Sequence, residues 1–456
     1  MHHNHGEANK MEQGKPDITK YFAKESDKPI TEAFEKGVAV HPGGKSRPIV
    51  GEKMEEVFNS LLDKPREGKT SVYIHVPFCE SHCLYCGFYR EKYNQEESRL
   101  YTDALIRELQ IHAEKPFQSS GPVHCVYLGG GTPTSLEADD LKRLLLALKQ
   151  YLPLANDCEI TVEGRIWNFD KEKMEACFEG GANRFSLGVQ TFDSKIRQSM
   201  KRISDKDLVI KNLIMLRDFD QAAVVIDLIY GFPNQTMASW EEDIKIMQSL
   251  KIDGADLYQL KVFPGTPLHS AILRDKIERA LSLEERAEMY ERGLKLMYKE
   301  QYIRLSVEHW GRTRRERNIY NHMMKSPSDC LAFGPAAGGA IHGHFFFTET
   351  DFIKWQGIVL NDGKKPIQMM QSPSKNWKLE KTITSETELS RINFKKIGDD
   401  FGLNLEDTLS PLYSQWIKAG LVEKEGDWYK LTVPGQFWHV NLAQHTIDYL
   451  NETLLK

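Results

Sequence analysis

The sequence predicts an α/β fold: an open or partial TIM-type barrel of parallel strands, followed by a small helix-rich module. Three observations predict it. Strand-like and helix-like runs alternate without interruption from Ser71 to Val307. That rhythm stops after about Pro373 and helical stretches take over. The composition, 40% hydrophobic and 27% charged over 456 residues, is that of an ordinary globular chain able to build a sizeable core.

The strand-like runs are Ser71–Val76, Val123–Leu128, Cys158–Glu163, Arg184–Val189, Ala222–Ile229, Ala255–Val262 and Ile303–Val307. The helix-like stretches between them are Glu96–Ala113, Ala138–Tyr151, Lys171–Phe178, Ser204–Phe219, Ser239–Ser249 and Leu283–Lys299. Strands separated by helices pair in parallel, because only a crossover returns the chain to the same end of the sheet. Six or seven such units make a barrel whose chemistry sits at the C-terminal ends of its strands. Beyond it, Asn393–Phe401, Leu409–Ala419 and Leu442–Leu455 read as helices and Trp428–Leu431 as a strand, a winged-helix-like pattern. The division expected is an N-terminal extension at 1–70, the barrel at 71–374 and a C-terminal cover domain at 375–456.

Charge excludes some functions. The net charge is −5, and residues 391–456 hold seven Lys/Arg against nine Asp/Glu, the wrong balance for a winged helix that grips phosphates. No apolar run approaches the ~18 residues of a membrane span, and the polar start of the chain shows no secretory signal. His2, His3 and His5 read as a tail. The expected setting is a cytoplasmic protein without nucleic-acid or membrane partners.

Seven cysteines are present, three of them clustered at Cys79, Cys83 and Cys86 and the others at 125, 158, 177 and 330. An odd count with one tight group does not form a disulfide framework. The segment Tyr73-Ile-His-Val-Pro-Phe-Cys79-Glu-Ser-His-Cys83-Leu-Tyr-Cys86 follows the first strand and so occupies a strand-end loop. Three thiolates can take three irons of a cubane and leave the fourth iron open to a small chelating ligand. A zinc site completed by His75 or His82 is the competing reading, but no second CxxC pair accompanies the first.

The C-x3-C-x2-C loop resembles that of the radical S-adenosylmethionine (SAM) superfamily. Flanking motifs resemble its coproporphyrinogen-dehydrogenase-like (HemN-like) branch: Gly129-Gly-Gly-Thr-Pro133, Asn183-Arg-Phe-Ser-Leu-Gly-Val-Gln-Thr-Phe192, Asp227-Leu-Ile-Tyr-Gly-Phe-Pro-Asn-Gln-Thr236 and Leu431-Thr-Val-Pro-Gly-Gln-Phe-Trp438. The resemblance covers roughly residues 70–456. It implies a partial (β/α)6 radical SAM barrel in which Cys79, Cys83 and Cys86 hold a 4Fe-4S cluster that cleaves SAM reductively. It also implies SAM contacts from Tyr73, Gly129, Gly130, Gly131, Thr132, Glu163, Gln190, Arg202 and Asp227. Glycines admit close backbone approach, carboxylates suit an ammonium or ribose, and a guanidinium suits a carboxylate.

Within the branch the sequence is most similar to the anaerobic heme-degrading methyltransferases of the HutW/ChuW type. The biosynthetic oxygen-independent coproporphyrinogen III dehydrogenases carry C-G-C where Phe88 stands here, and the heme chaperones carry an H-N-x-x-Y-W motif where Arg317-Asn-Ile-Tyr-Asn-His stands. Pro29–Phe34 and Val40–Gly43 resemble the extension of the heme-degrading group. That likeness implies heme as substrate, two SAM molecules, a flavodoxin or NADPH-dependent flavoprotein as electron donor, and a heme-delivery or product-reducing partner. The expected heme contacts are Arg312, Arg314 and Arg315 for the propionates and His309, His322, His342 or His344 for the iron. Phe345–Phe347 line the apolar slot or form a core strand.

Overall fold

The computed structural model describes residues 17–39, 41–87 and 91–455; His2, His3, His5, Val40, Phe88 and Tyr89 lie outside them. Six strands carry the barrel: β1 (Thr70–Val76), β2 (Val123–Gly130), β3 (Leu154–Gly164), β4 (Arg184–Gln190), β5 (Ala223–Tyr230) and β6 (Gly254–Gln259). Each pairs in parallel with the next. The crossovers are helices Gln95–Ile111, Ala138–Tyr151, Lys171–Gly180, Lys206–Asp218 and Met237–Ser249. Four of them start at side chains that accept first-turn N–H bonds, Asn94, Asp170, Asp205 and Thr236, caps worth about 1 kcal/mol apiece.

Alternation along β1 separates two layers. Val72, Ile74 and Val76 are fully buried, as are Leu105 and Leu109 of the crossover helix that follows. Ser71, Tyr73 and His75 take the opposite face, toward the barrel lumen. Polar residues recur on that inner face of β2 to β6, which is why the lumen holds chemistry and the outer layer holds the fold together.

The seventh strand departs from expectation. Only Ile303–Arg304 is extended, and it pairs antiparallel with His309–Gly311, which itself runs antiparallel to β6. Leu305 donates its N–H to the His309 carbonyl (2.8 Å), a tight turn that reverses the chain before it climbs the barrel. On the other side of β1 the sheet gains a parallel strand, Asp329–Phe333. Antiparallel strands Gly338–Ile341, His344–Thr348, Ile367–Ser372 and Arg47–Ile49 then extend it. Phe346 is the core member of the Phe345–Phe347 run; Phe345 is exposed.

The compact units divide the chain elsewhere than at 70 and 374. Gly43–Ile392 form the barrel unit, and the described residues up to Pro42 join Asn393–Lys456 in the other. Two elements explain the barrel's gains. Helix Glu52–Leu62 sets Phe58 against Phe346 at 5.2 Å, and helix Trp377–Glu388 buries Leu379 and Ile383 while its Glu388 pairs with Lys325 at 2.8 Å. In the smaller unit, helices Phe394–Phe401, Leu405–Lys418 and His439–Thr453 enclose a hairpin, Val422–Glu425 and Trp428–Leu431. Its N-terminal segment is fastened by Trp416 and Trp438, whose indole N–H groups donate to the Tyr21 (3.1 Å) and Ile30 (2.9 Å) carbonyls. No helix among the described residues is long and apolar enough to cross a membrane.

Candidate active site

The cysteine loop leaves the end of β1 and is held from several sides. Phe78–Cys79 pair with Glu91–Lys92. Leu84 donates its N–H to the Met200 carbonyl (3.3 Å) and accepts from Leu268 N–H (2.8 Å), tying the loop to segments that follow β4 and β6. All three cysteines are free thiols, Cys79 and Cys83 buried and Cys86 half-buried. Among the described residues no group of three or more His, Cys, Asp or Glu side chains is gathered to hold a single metal ion; a cubane instead takes each thiolate on its own iron.

The thiols differ in electrostatics. Arg202 donates from one Nη to Cys83 Sγ (3.4 Å) and to the Tyr85 hydroxyl (2.9 Å), and from the other to the Gly188 carbonyl. Burial pushes the Cys83 thiol up, but the Arg202 and Arg165 charges outweigh it and hold the group below its ordinary value. The Cys79 Sγ lies 3.3 Å from Thr132 Oγ1, and burial keeps the thiol above its ordinary value. Arg165, which also donates to Ser81 Oγ at 2.8 Å, escaped the sequence reading; it stands one residue beyond β3, and only its strand-end position signalled it.

The glycine run serves the loop itself. A Cβ on Gly131 would lie 2.5 Å from the Phe78 carbonyl oxygen, and Gly130 has φ +104° with a Cβ position 2.6 Å from the His75 ring. A Cβ on Gly129 would meet Glu163 Oε2 at 2.6 Å. The close approach expected toward a ligand is therefore made first to the cysteine loop and to lumen side chains.

Glu163 ends β3 and Asp227 lies in β5. Burial and the nearby Asp227 carboxylate push the Glu163 carboxyl up to about 8. Burial raises Asp227 to about 6 against the pull of Arg184 and Arg202. Gln190 follows a register shift between Gly188 and Gln190 and has φ +72°. Its Oε1 and the Arg202 Nε are buried with no hydrogen-bond partner. Such atoms are costly unless something completes them, and an acceptor beside a donor suits the ammonium and carboxylate of an amino acid. The residues at this mouth thus fit a three-thiolate cluster carrying SAM. Tyr73 lies lower, its hydroxyl 2.9 Å from His75 Nδ1, within reach of a ring stack formed by Tyr320 on Tyr127 at 4.4 Å.

The expected heme contacts lie elsewhere. Arg312 donates to the Ile252 (2.7 Å) and Lys251 (2.6 Å) carbonyls, and Arg315 to the Ala222 carbonyl (2.9 Å) and Asp220 (2.5 Å). These partners precede β6 and β5, so both arginines stand at the N-terminal end of the barrel, opposite the cysteine loop. Arg314 is exposed between them. The physical reason is the antiparallel His309–Gly311 strand, which delivers the segment to the floor rather than the mouth. There Glu316 enters as a buried partner of Arg184 at 2.9 Å. His309 is 3% exposed with hydrogen bonds at both ring nitrogens. The His342 backbone N–H donates to Oδ1 of Asp329, the first residue of its strand (2.8 Å), and His344 Nδ1 contacts the His342 carbonyl at 3.2 Å. His322 lies on helix Ile319–Lys325. None of the four is brought to the mouth.

The model of the radical SAM superfamily matches residues 73–247. The chain is similar to anaerobilin synthase of Escherichia coli O157:H7, 40% identical over 432 residues and 94% of each chain. It is also similar to the heme chaperone HemW of Bacillus subtilis, 29% identical over 60% of this chain and 71% of that one. The solved coproporphyrinogen III oxidase (HemN) of Escherichia coli shares the fold, with a TM-score of 0.76 at 21% identity over 91% of this chain and 98% of that one.

Proposed function

This chain belongs to the radical SAM superfamily, on its HemN-like branch, and on that premise we propose that it degrades heme anaerobically, opening the porphyrin to a linear tetrapyrrole and releasing iron. The observation that carries the reading is the 40% identity to anaerobilin synthase across 94% of both chains. In this reading Cys79, Cys83 and Cys86 hold a 4Fe-4S cluster. Gln190 Oε1, Arg202 Nε, Glu163 and Asp227 receive SAM, with Tyr73 and the Gly129–Thr132 turn beside them. Bound together, cluster and SAM supply a carbon-centred radical able to attack an aromatic macrocycle. The chain's own part is to bury two of the thiols, to orient the amino-acid end through Arg202 and Gln190, and to keep bulk water from the lumen. Methyl transfer, a second SAM, a flavodoxin or NADPH-dependent flavoprotein donor and cytoplasmic residence complete the reading.

The test is an anaerobic turnover assay with reconstituted cluster, SAM, a strong reductant and heme, run in parallel with coproporphyrinogen III. Loss of the Soret band with matched release of 5′-deoxyadenosine supports heme degradation. A stable Soret band with carbon dioxide from coproporphyrinogen assigns the chain to biosynthetic decarboxylation. Heme binding without consumption assigns it to the chaperones.

A further inference from the structure

His309 is a buried titratable group that the proposed chemistry leaves unused. Its Nδ1 lies 2.6 Å from Ser306 Oγ, and its Nε2 lies 3.1 Å from the Tyr258 hydroxyl and 3.2 Å from Asn321 Nδ2. Asp256 Oδ2 is 3.8 Å from the same Nε2. Tyr258 and Asp256 sit on the inner face of β6, and Asp256 is the register partner of Asp227 on β5.

Two of its partners, Ser306 and Asn321, border a small polar cavity. Ser306, Asn321, His322, Lys325, Ser385 and Glu388 line it, and its water-accessible space of about 10 Å³ suits roughly one water molecule. Lys325 is 28% exposed there and pairs with Glu388. With one water in that cavity, exchangeable protons would connect solvent at Lys325, through Ser306 and the imidazole, to Tyr258 on the lumen side.

Iron release from a tetrapyrrole creates a need for such a line. Two bonds between iron and anionic pyrrole nitrogens break, and both bonding pairs stay on nitrogen. Two N–H bonds form, and iron leaves with its oxidation state unchanged. The step consumes two protons and no electrons, in a lumen that must exclude bulk water to protect a radical.

We propose that His309 is the proton carrier between the Lys325 cavity and the barrel lumen, supplying the protons on which iron release depends. The inference rests on heme being the substrate. At rest Asn321 Nδ2 donates to Nε2 and the ring N–H at Nδ1 faces Ser306; a ring flip turns that N–H toward Tyr258, which takes its proton as the other ring nitrogen accepts one from Ser306. The groups that govern the ring are Asp256 and Tyr258 from β6, Arg184 from β4, His322 and Lys325 from helix Ile319–Lys325, Glu388 from helix Trp377–Glu388, and Glu316 from the floor. Burial, and then the Lys325 charge, hold the imidazole well below its ordinary value, so the ring rests neutral and charges only in transit.

The test compares wild type with His309→Gln in the reconstituted holoenzyme across pH 6–9, in H2O and D2O, scoring iron released to a chelator per heme whose Soret band is lost. The expected result is a ratio at least tenfold lower at high pH, a deficit that narrows toward pH 6, and a solvent isotope effect larger than that of wild type. An unchanged ratio, or one lowered equally at all pH values with the wild-type isotope effect, overturns the proposal. Tyr258→Phe and Ser306→Ala repeat the test should His309→Gln lose its fold. Wild type that cleaves SAM while heme stays intact instead removes the heme reading, and this inference with it.

Discussion

The two ends of the barrel treat their charged groups differently. At the mouth, Gln190 Oε1 and Arg202 Nε are buried without partners, burial raises both the Glu163 and Asp227 carboxyls, and the Asp227 charge raises Glu163 further. At the floor, Arg184 meets Glu316, Arg312 and Arg315 satisfy backbone carbonyls, and Glu159 accepts from Ile319 N–H at 3.0 Å. Even so, floor nitrogens such as Arg184 Nη2, Asn318 Nδ2 and His342 Nε2 also lack partners. The proposed receptor end and the floor thus differ in degree: the floor arginines are mostly bonded to the protein itself, and at the mouth an open acceptor stands with an open donor. That pairing is what a ligand can finish.

Variants can break this contrast. Cys83→Ala is expected to have the largest effect: turnover falls to background and cluster iron is lost, read by iron analysis and visible absorbance, with little loss of fold. Glu316→Ala should do the reverse, lowering stability by roughly 3–5 kcal/mol by stranding the buried Arg184; urea unfolding measures it, and the double replacement Arg184→Met with Glu316→Leu should recover most of the loss. Glu163 gives a pH signature. Its folded value of about 8 exceeds the ordinary 4.5, so the folded state binds the extra proton. The stability it contributes is full below about 4.5 and is lost as pH rises toward 8. Without SAM, Glu163→Gln should flatten that decline by on the order of 2 kcal/mol, since the side chain keeps part of its surface in solvent. Arg312→Ala and Arg315→Ala should cost about 1 kcal/mol or less and leave heme affinity unchanged; a clear loss of heme affinity would mean that the floor receives substrate.

The six parallel strands were legible because each strand and crossover carries its own pattern, and the cysteine spacing was legible because it is local. The reversal that follows them was not: Ile303–Arg304 runs with the barrel strands but ends after two residues, and nothing in the hydrophobic pattern marks His309–Gly311 as a strand running back. That unforeseen reversal is what carries Arg312 and Arg315 to the floor and keeps His309 from the mouth. The partner of Arg184 was hidden for a related reason, since Glu316 lies 132 residues away and reaches it only by way of the reversed strand. Trp416 likewise gives no sign in the sequence of its bond to Tyr21, 395 residues earlier.

The bonds from Met200 and Leu268 to Leu84, and the contact of Gly131 with Phe78, fix an order of events during maturation. The cysteine loop takes its shape from strands and turns made later in the chain, so the barrel has to close before the three thiols stand ready. On this geometry metal is expected to enter a folded protein, unlike the small zinc modules that fold only around their ion. Iron starvation would then leave a standing pool of folded, dormant chains, waiting for cluster delivery rather than for new synthesis.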